Sequence, residues 1–507
     1  MNLHLLKDRY LEVTNLDFLG YFLQHKRKSE IKAISLYCFG HLKESIEIFA
    51  NSMEKLSISK LYLRFTNIDD ETFQRIIHNP SFQKIQKLGL SFNEEITDST
   101  ITTIADLNTS SKLKCLEIDS TSVTDEGVRT MTSSLNFENI KELDLSELHI
   151  TKQSIQYLCH PLTFFKLKSL KLTGYDIDFS DLLLISESPK FSCLKSLKVN
   201  QMETIEIDVL KKFCKIRPYN LNLVELTLKC CDLTANHMKL ICQSETLSQL
   251  KSLDLTGNNL DDQITSDFIR AKFQNTLRSL ILAKTQISDK FIKKLTQTKC
   301  YSKLDILSLA YCPEIKSVKY LSKPKHTPFS SIYFGLLKGT PRDFAKILET
   351  NFLHLIKFKL NAILSVADWN LVFFGLKGSS KLKVIKFSNL RIEADAIKKI
   401  FTQVEFPLLE RFKLAGNPIF TKETMDAICY SQTFPKLSCL SLKNNSLGDK
   451  EIESLMETSN FPFLDVLDLY YNLSLSEASI QKVLENQHFP LLEVVIYGNG
   501  KLCLKHK

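Results

Sequence analysis

The side chains of this chain that could make or break bonds are scattered rather than gathered. The spacings HExxH, G-x-S-x-G and GxxxxGK[ST], which build metal, nucleophile and phosphate sites, are all missing. The eleven histidines fall at unrelated phases, and the thirteen cysteines include no CxxC pair. Neither a metal cluster nor a disulfide framework is expected, and no cofactor site follows. Cys230 and Cys231 adjoin, but they read as packing. Trp369, the only tryptophan, reads as core. The residues that do recur at an even step are charged. Lys359, Lys386 and Lys413 are 27 residues apart, with Lys357, Arg411 and Lys443 near them and Tyr470 and Tyr471 following. Earlier, Glu117 and Asp144 stand at the same step, beside Asp119 and Glu142. Such groups attract and orient charged partners rather than transform them.

The even step belongs to the whole chain. The stretch LKSLDLTGNNL, beginning at Leu250, recurs as LKCLEIDSTSV from Leu113, LKSLKLTGYDI from Leu167, LERFKLAGNPI from Leu409 and LSCLSLKNNSL from Leu437. Its first apolar residue returns eighteen times between Ile31 and Leu492, at steps of 27 or 28 residues with few exceptions. A self-similar period of this length means a stacked array. Within each unit the LxL core alternates, which predicts a short strand with both leucines facing inward. Strands are expected near 33–37, 115–118, 252–256, 411–415 and 466–469. A polar residue after the strand turns the chain and bonds backbone of neighbouring units. The second half of a unit reads as an amphipathic helix. In VTDEGVRTMTSSL, Val128, Met131 and Leu135 share a face, and Thr124 and Asp125 are placed to cap it.

The pattern LxxLxLxx[NTC]xL resembles the leucine-rich repeat over roughly residues 31 to 502, and units of this length with a helix resemble the ribonuclease-inhibitor type. The resemblance implies an α/β right-handed solenoid, or horseshoe, of about eighteen repeats, with a parallel sheet on the concave face and helices on the convex face. The turn position departs from the family pattern. It is Asn only at Asn93, Asn258, Asn417, Asn445 and Asn472, and it is apolar at Leu148, Tyr175, Met202, Leu337, Ile363 and Leu390. The hydrogen-bonded ladder should be interrupted there. Short units and four prolines predict an irregularity near 312–354. Residues 1–30 are expected to form a helical cap, and 503–507 a short basic tail. The end of the stack should either be covered by that tail or pair with a second chain.

Phase assigns the inner surface. The residue between the last two apolar positions of LxxLxL points into the concavity, with its neighbours two residues either side. Glu117, Asp119, Glu142 and Asp144 then form an acidic patch. Lys357, Lys359, Lys386, Arg411, Lys413 and Lys443 form a basic strip beside Tyr470 and Tyr471. Neighbouring strands lie about 4.8 Å apart, and like charges opposite one another are unfavourable by some tenths of a kcal/mol. A column of lysines therefore suggests a surface set for an acidic ligand, against the bland alternative of long side chains splayed into water.

Composition is consistent with a binding protein. Hydrophobic residues make up 44% and the net charge is +9, which permits acidic partners without demanding nucleic acid. Lys7, Asp8 and Arg9 fall where a secretory signal needs its apolar run, and no segment approaches a membrane span. The expectation is a cytoplasmic, non-catalytic protein-binding scaffold. The alternatives are an adaptor of a ubiquitin ligase, which would need residues 1–30 as a recruiting module, or a bacterial effector acting in a host cell. Ran-type GTPase activation, another use of such repeats, is disfavoured because its family carries an acidic tail. Here the tail holds Lys501, Lys505, His506 and Lys507.

Overall fold

The computed structural model describes residues 10–13, 32–36, 49, 53, 58–107, 112–160, 167–173, 176–202, 205–215, 223–317, 319–321, 329–335, 357–361, 382–388, 394–403, 405–416, 421–430, 434–492, 494–497 and 501–504. The chain falls into two compact units. One runs to Asn258 and includes Arg270–Phe273; the other holds Asn259–Ile269 and continues from Gln274.

The first unit contains strands β1 (Tyr10–Val13), β2 (Ala33–Leu36), β3 (Lys60–Leu63), β4 (Lys87–Gly89), β5 (Cys115–Glu117), β6 (Glu142–Ser146), β7 (Ser169–Thr173), β8 (Ser196–Asn200), β9 (Glu225–Lys229) and β10 (Ser252–Asp254). Each pairs in parallel with the next, in register and without a slip. The second unit contains β11 (Ser279–Ile281), β12 (Ile306–Ser308), β13 (Ser331–Gly335), β14 (Lys357–Asn361), β15 (Val384–Ser388), β16 (Arg411–Ala415), β17 (Cys439–Ser441), β18 (Val466–Asp468), β19 (Val494–Tyr497) and β20 (Lys501–Leu504). Pairing from β11 to β19 is again parallel. Each unit is thus an α/β solenoid. The strands stand where the LxL spacing puts them, and helices such as Asp125–Ser133 and Asp449–Glu457 return the chain between them.

Alternation along each strand separates two faces. Leu116, Leu143, Leu170 and Leu197 are buried under the helices, as are Ile385, Phe412, Leu440 and Leu467 in the second unit. The late FP motifs bury Phe406, Phe434, Phe461 and Phe489, and Phe406 stacks on Phe434 at 5.6 Å. The other face of the sheet is mixed: Glu117, Lys171 and Lys413 are half-buried, whereas Asp144, Asp254 and Ser441 are buried.

Two between-unit ladders join the repeats. The first is the turn residue. The Asn258 carboxamide is buried. It donates to Leu228 O at 2.7 Å and Leu255 O at 2.8 Å, while Cys231 N and Leu233 N donate to its oxygen at 3.0 and 3.1 Å. Asn472 repeats the arrangement with Leu442, Leu469, Asn445 and Leu447. Thr121 and Thr285 donate to carbonyls of their own repeats at 2.7 and 2.8 Å, and Thr285 also lies 3.5 Å from Cys312 Sγ of the next repeat, so fewer bonds cross between repeats here than at Asn258.

The second ladder lies at the helix starts. Thr124 caps its helix, accepting from Glu126 N. Asp125 does not share that role, because its carboxylate reaches the next unit. Thr151 N and Oγ1 donate to it at 2.9 and 2.7 Å, and Ser154 N at 3.1 Å. Asp98 receives Thr124 in the same way, and Asp449 receives Ser476 N at 2.8 Å.

Several expectations are corrected. Tyr10–Val13 is a strand paired with β2, not part of a helix; the rest of the expected cap, apart from this segment, lies outside the described residues. Leu135 does not share the buried face of Val128 and Met131. The helix ends at Ser133, and Leu135 is 74% exposed. The boundary drawn at 502 falls inside β20, which turns back and pairs antiparallel with β19, placing Leu502 opposite Ile496. Much of 312–354, and Trp369 with it, lies outside the described residues.

Two outcomes test this account. Asn258→Ala leaves two amides and two carbonyls without their buried partner, and it is expected to cost about 3 kcal/mol. Hydrogen exchange at the Cys231 and Leu233 amides should accelerate on the order of a hundredfold, and Thr285→Ala should do far less to its neighbours. The second outcome concerns acid. Burial alone would raise the Asp125 carboxyl, but hydrogen bonds from Ser154 and Thr151 outweigh it and hold it below the ordinary carboxylate value. A depressed folded-state pKa contributes stability above the unfolded value, near 3.9, and loses it as pH falls through the folded value. Asp125→Asn should therefore be less stable than wild type at neutral pH, with a difference that shrinks below about pH 4 in denaturant titrations.

Candidate functional site: the open face of the sheet

Strand register decides which charges meet. In the first unit it places Glu117, Asp144, Lys171 and Lys198 in one column across β5 to β8. The four carboxylates of the expected acidic patch do come together, but each meets a donor. The Lys171 ammonium lies 2.6 Å from Asp144, whose side chain is 9% exposed. Lys87 reaches across β5 to Glu142 at 2.8 Å. Arg64 pairs with Glu117, and Ser91 donates to Asp119. Further along, Lys198 faces Glu225 at 3.7 Å and Lys229 faces Asp254 at 3.0 Å. The face is a lattice of compensated pairs rather than an acidic field.

Local chemistry explains the reach of Arg64. Gly89 lies in register between Tyr62 and Glu117. A Cβ there would come 2.7 Å from the Tyr62 ring and 3.2 Å from the Glu117 carboxylate. Without it, the Arg64 guanidinium lies 4.6 Å above the Tyr62 ring and crosses to Glu117. The sequence reading missed Arg64, Lys87 and Tyr62. Extending the same phase to units two and three would have found them.

Cysteine chemistry is muted here. Burial, then the neighbouring Glu117 and Glu142 carboxylates, push the Cys115 thiol up to about 12. Burial likewise pushes Cys231 up to about 11. Thiols held so far above neutrality are poor nucleophiles. Among the described residues no group of His, Cys, Asp and Glu is placed to hold a metal ion.

The second unit differs in sign. Register stacks Tyr333, Lys359, Lys386, Lys413, Ser441 and Asp468 in one column. A parallel column holds Lys357, Val384, Arg411 and Cys439. For Lys357 and Lys359 the backbone register is described and nothing further. Lys386, Arg411 and Lys413 are half-buried, so their stems lie along the sheet. Neither Arg411 nor Lys413 forms an ion pair among the described residues; their charge acts on the Cys439 thiol, which burial nonetheless pushes up to about 11. One phase further along, the Lys443 ammonium sits 4.2 Å above the Tyr470 ring and 5.9 Å from that of Tyr471. The two rings meet edge to face at 4.4 Å.

Strand ends carry a second feature. The residue just before the turn position adopts positive φ in most units, at Ser120, Gly257, Gly416 and Asn444 among others. Several units place an aromatic ring there: Phe65 at 55°, Phe92 at 60°, Tyr311 at 61° and Tyr471 at 59°. Bulky side chains adopt this conformation at a cost. Phe65 and Phe92 stack at 4.0 Å, and Phe92, Tyr311 and Tyr471 are exposed.

A family model described as Leucine Rich repeat matches residues 247–264, the stretch around β10. The repeat is a leucine-rich repeat, and both units are built from it. No curated protein sequence matches the chain. Solved structures of similar fold include an internalin (inlF) of Listeria monocytogenes, at 17% identity and TM-score 0.35, covering 68% of this chain and 88% of the internalin. The yeast Rad7 and Elc1 complex gives 19% identity and TM-score 0.43, with 91% and 93% covered. The TLR13–ssRNA13 complex gives 15% identity and TM-score 0.36, with 92% of this chain and 58% of that one covered. With identities and TM-scores this low, nothing about partner or activity transfers from them. Among the described residues no helix is long and apolar enough to cross a membrane.

The paired lattice of the first unit makes its own test. Burial alone would lower the Lys171 pKa, but the Asp144 carboxylate outweighs it and raises it. Lys171→Ala strips that partner from a nearly buried carboxylate. The expected loss is about 2 kcal/mol, between the near-zero value of exposed pairs and the ~3–5 kcal/mol of breaking buried ones. Urea unfolding of the first unit should show the loss, and Lys171→Ala paired with Asp144→Asn should recover part of it.

Proposed function

We propose that this chain is a non-catalytic, cytoplasmic protein-binding scaffold of the ribonuclease-inhibitor-like type. It takes its partner on the open, concave face of its leucine-rich repeats. One observation carries the reading. In the first unit the open-face charges pair with opposite charges one or two strands away, even where like charges such as Lys171 and Lys198 stand in register, whereas the second unit stacks Lys359, Lys386 and Lys413 on consecutive strands, and neither Arg411 nor Lys413 forms an ion pair among the described residues. Like charges about 4.8 Å apart oppose stability, and a ligand of opposite charge offsets that opposition. Tyr470 and Tyr471 supply the aromatic contact that protein interfaces favour. Units of 27 to 28 residues with a full helix support the subtype. The adaptor alternative rests on residues 1–30, of which Tyr10–Val13 is described as a strand, and no observation favours it or the effector alternative.

Affinity purification of the full chain at low salt, read by mass spectrometry, tests the proposal. Lys386→Glu with Lys413→Glu should remove the specific partners. Reversal of Lys290 and Lys294, on the helix Asp289–Gln297, should leave them bound. Identical partner sets for wild type and both variants would overturn the assignment of the face.

A further inference from the structure

We propose that the open face of β15 to β18 reads an extended acidic segment of a partner protein that ends in an apolar residue. The carboxylates lie over Lys386, Arg411 and Lys413, and the apolar end lies on Tyr470, Tyr471 and Leu473. This deepens the scaffold reading above and rests on it.

The face changes chemistry along its length. Basic groups occupy β15 and β16, and Lys443 continues them at the end of β17. The lysine column then stops. Ser441 replaces lysine and donates to Asp468 at 2.8 Å, and Tyr470 N donates to the same carboxylate at 3.2 Å. Asp468 is a negative charge in the path of any ligand carboxylate that continued along the column. What lies beside it is apolar and open: Tyr471 is 48% exposed and Leu473 67%. A ligand acidic throughout meets repulsion at β18, and one apolar throughout sets no charge against Arg411 and Lys413.

Tyr471 shows that the apolar end is not an accident of packing. Gly416 and Asn444, at the same phase of the two preceding units, tolerate positive φ well, and Tyr471 does not. Its ring gains little burial in return. The Lys443 ammonium lies against Tyr470 and holds that ring beside Tyr471.

The spacing sets the length of the segment. Three strand steps of about 4.8 Å separate β15 from β18, roughly 14 Å in all, and an extended chain advances about 3.3 Å per residue. The segment is therefore about four to six residues long. A single-stranded nucleic acid also carries negative charge, but it needs aromatic platforms interleaved with the cations for successive bases. The residues of β15 to β17 in these columns are Val384, Lys386, Arg411, Lys413, Ala415, Cys439 and Ser441, with no ring among them. The arrangement favours a peptide.

The experiment measures fluorescence anisotropy with the full-length chain at low salt. The probes are fluorescein-labelled six-residue peptides: four acidic residues followed by glycine and phenylalanine, the same order reversed, and an all-acidic peptide. One of the two mixed peptides should bind at least about tenfold more tightly than the all-acidic one. Tyr471→Asn with Leu473→Ser should erase that advantage and nothing more, since asparagine keeps the positive φ as Asn444 does. Lys386→Glu with Lys413→Glu should abolish binding of both peptide classes. Equal affinities for mixed and all-acidic peptides, no peptide binding, or tighter binding of a six-nucleotide oligouridylate would each overturn the inference. If the lysine reversal still strips partners in the purification described above, the scaffold reading survives that loss.

Discussion

A buried turn leaves backbone amides and carbonyls that water cannot reach, and in this protein the turn side chains pair them within their own repeat and the preceding one. Asn258 and Asn472 show the solution in full, with one carboxamide satisfying groups on both its own strand end and the preceding one. Because the side chain is short and its donors and acceptor are fixed, neighbouring units must stack in one register. The contacts from Thr or Ser to Asp at the helix starts impose the same step elsewhere in the repeat. With both edges pinned, a slip by one residue would unpair both ladders and turn the leucines outward.

That register is what gives the open face meaning. A strand only alternates its side chains; it is stacking in phase that aligns Lys386 with Lys413, or Asp144 with Lys171. The same backbone frame serves opposite ends. In the first unit both signs share a column, as Glu117, Asp144, Lys171 and Lys198 do, and the charges neutralise one another in ion pairs. In the second they repeat in sign, and the cost of repulsion is carried by a frame held together elsewhere, by buried leucines and the phenylalanines of the FP motifs.

Tolerance at the strand ends follows similarly. The left-handed residue before each turn is forced by the backbone path and not by its side chain, since serine, glycine, cysteine, glutamate and tyrosine all occupy it. A position whose conformation is fixed and whose side chain is free to vary is a natural mounting point for contacts. Phe92, Tyr311 and Tyr471 use it to display rings that a strand position would place among the lysines or under the helices.

The sequence by itself determined the period, the strands and their inward leucines, because each depends on local alternation repeated many times. The strands expected near 33–37, 115–118 and 411–415 lie at Ala33–Leu36, Cys115–Glu117 and Arg411–Ala415. Phase also placed Lys386 and Lys413 in one column, since a parallel stack converts equal spacing into adjacency. What only the tertiary structure decided depends on distances between units. The acidic residues looked like a free patch until Arg64 and Lys87, from strands up to two places away, proved to reach them across Gly89 and Cys115. Asp125 looked like a cap until its carboxylate met the next helix. Local pattern fixes where a side chain points, whereas the length of that side chain, and the space a neighbouring glycine leaves, fix what it touches.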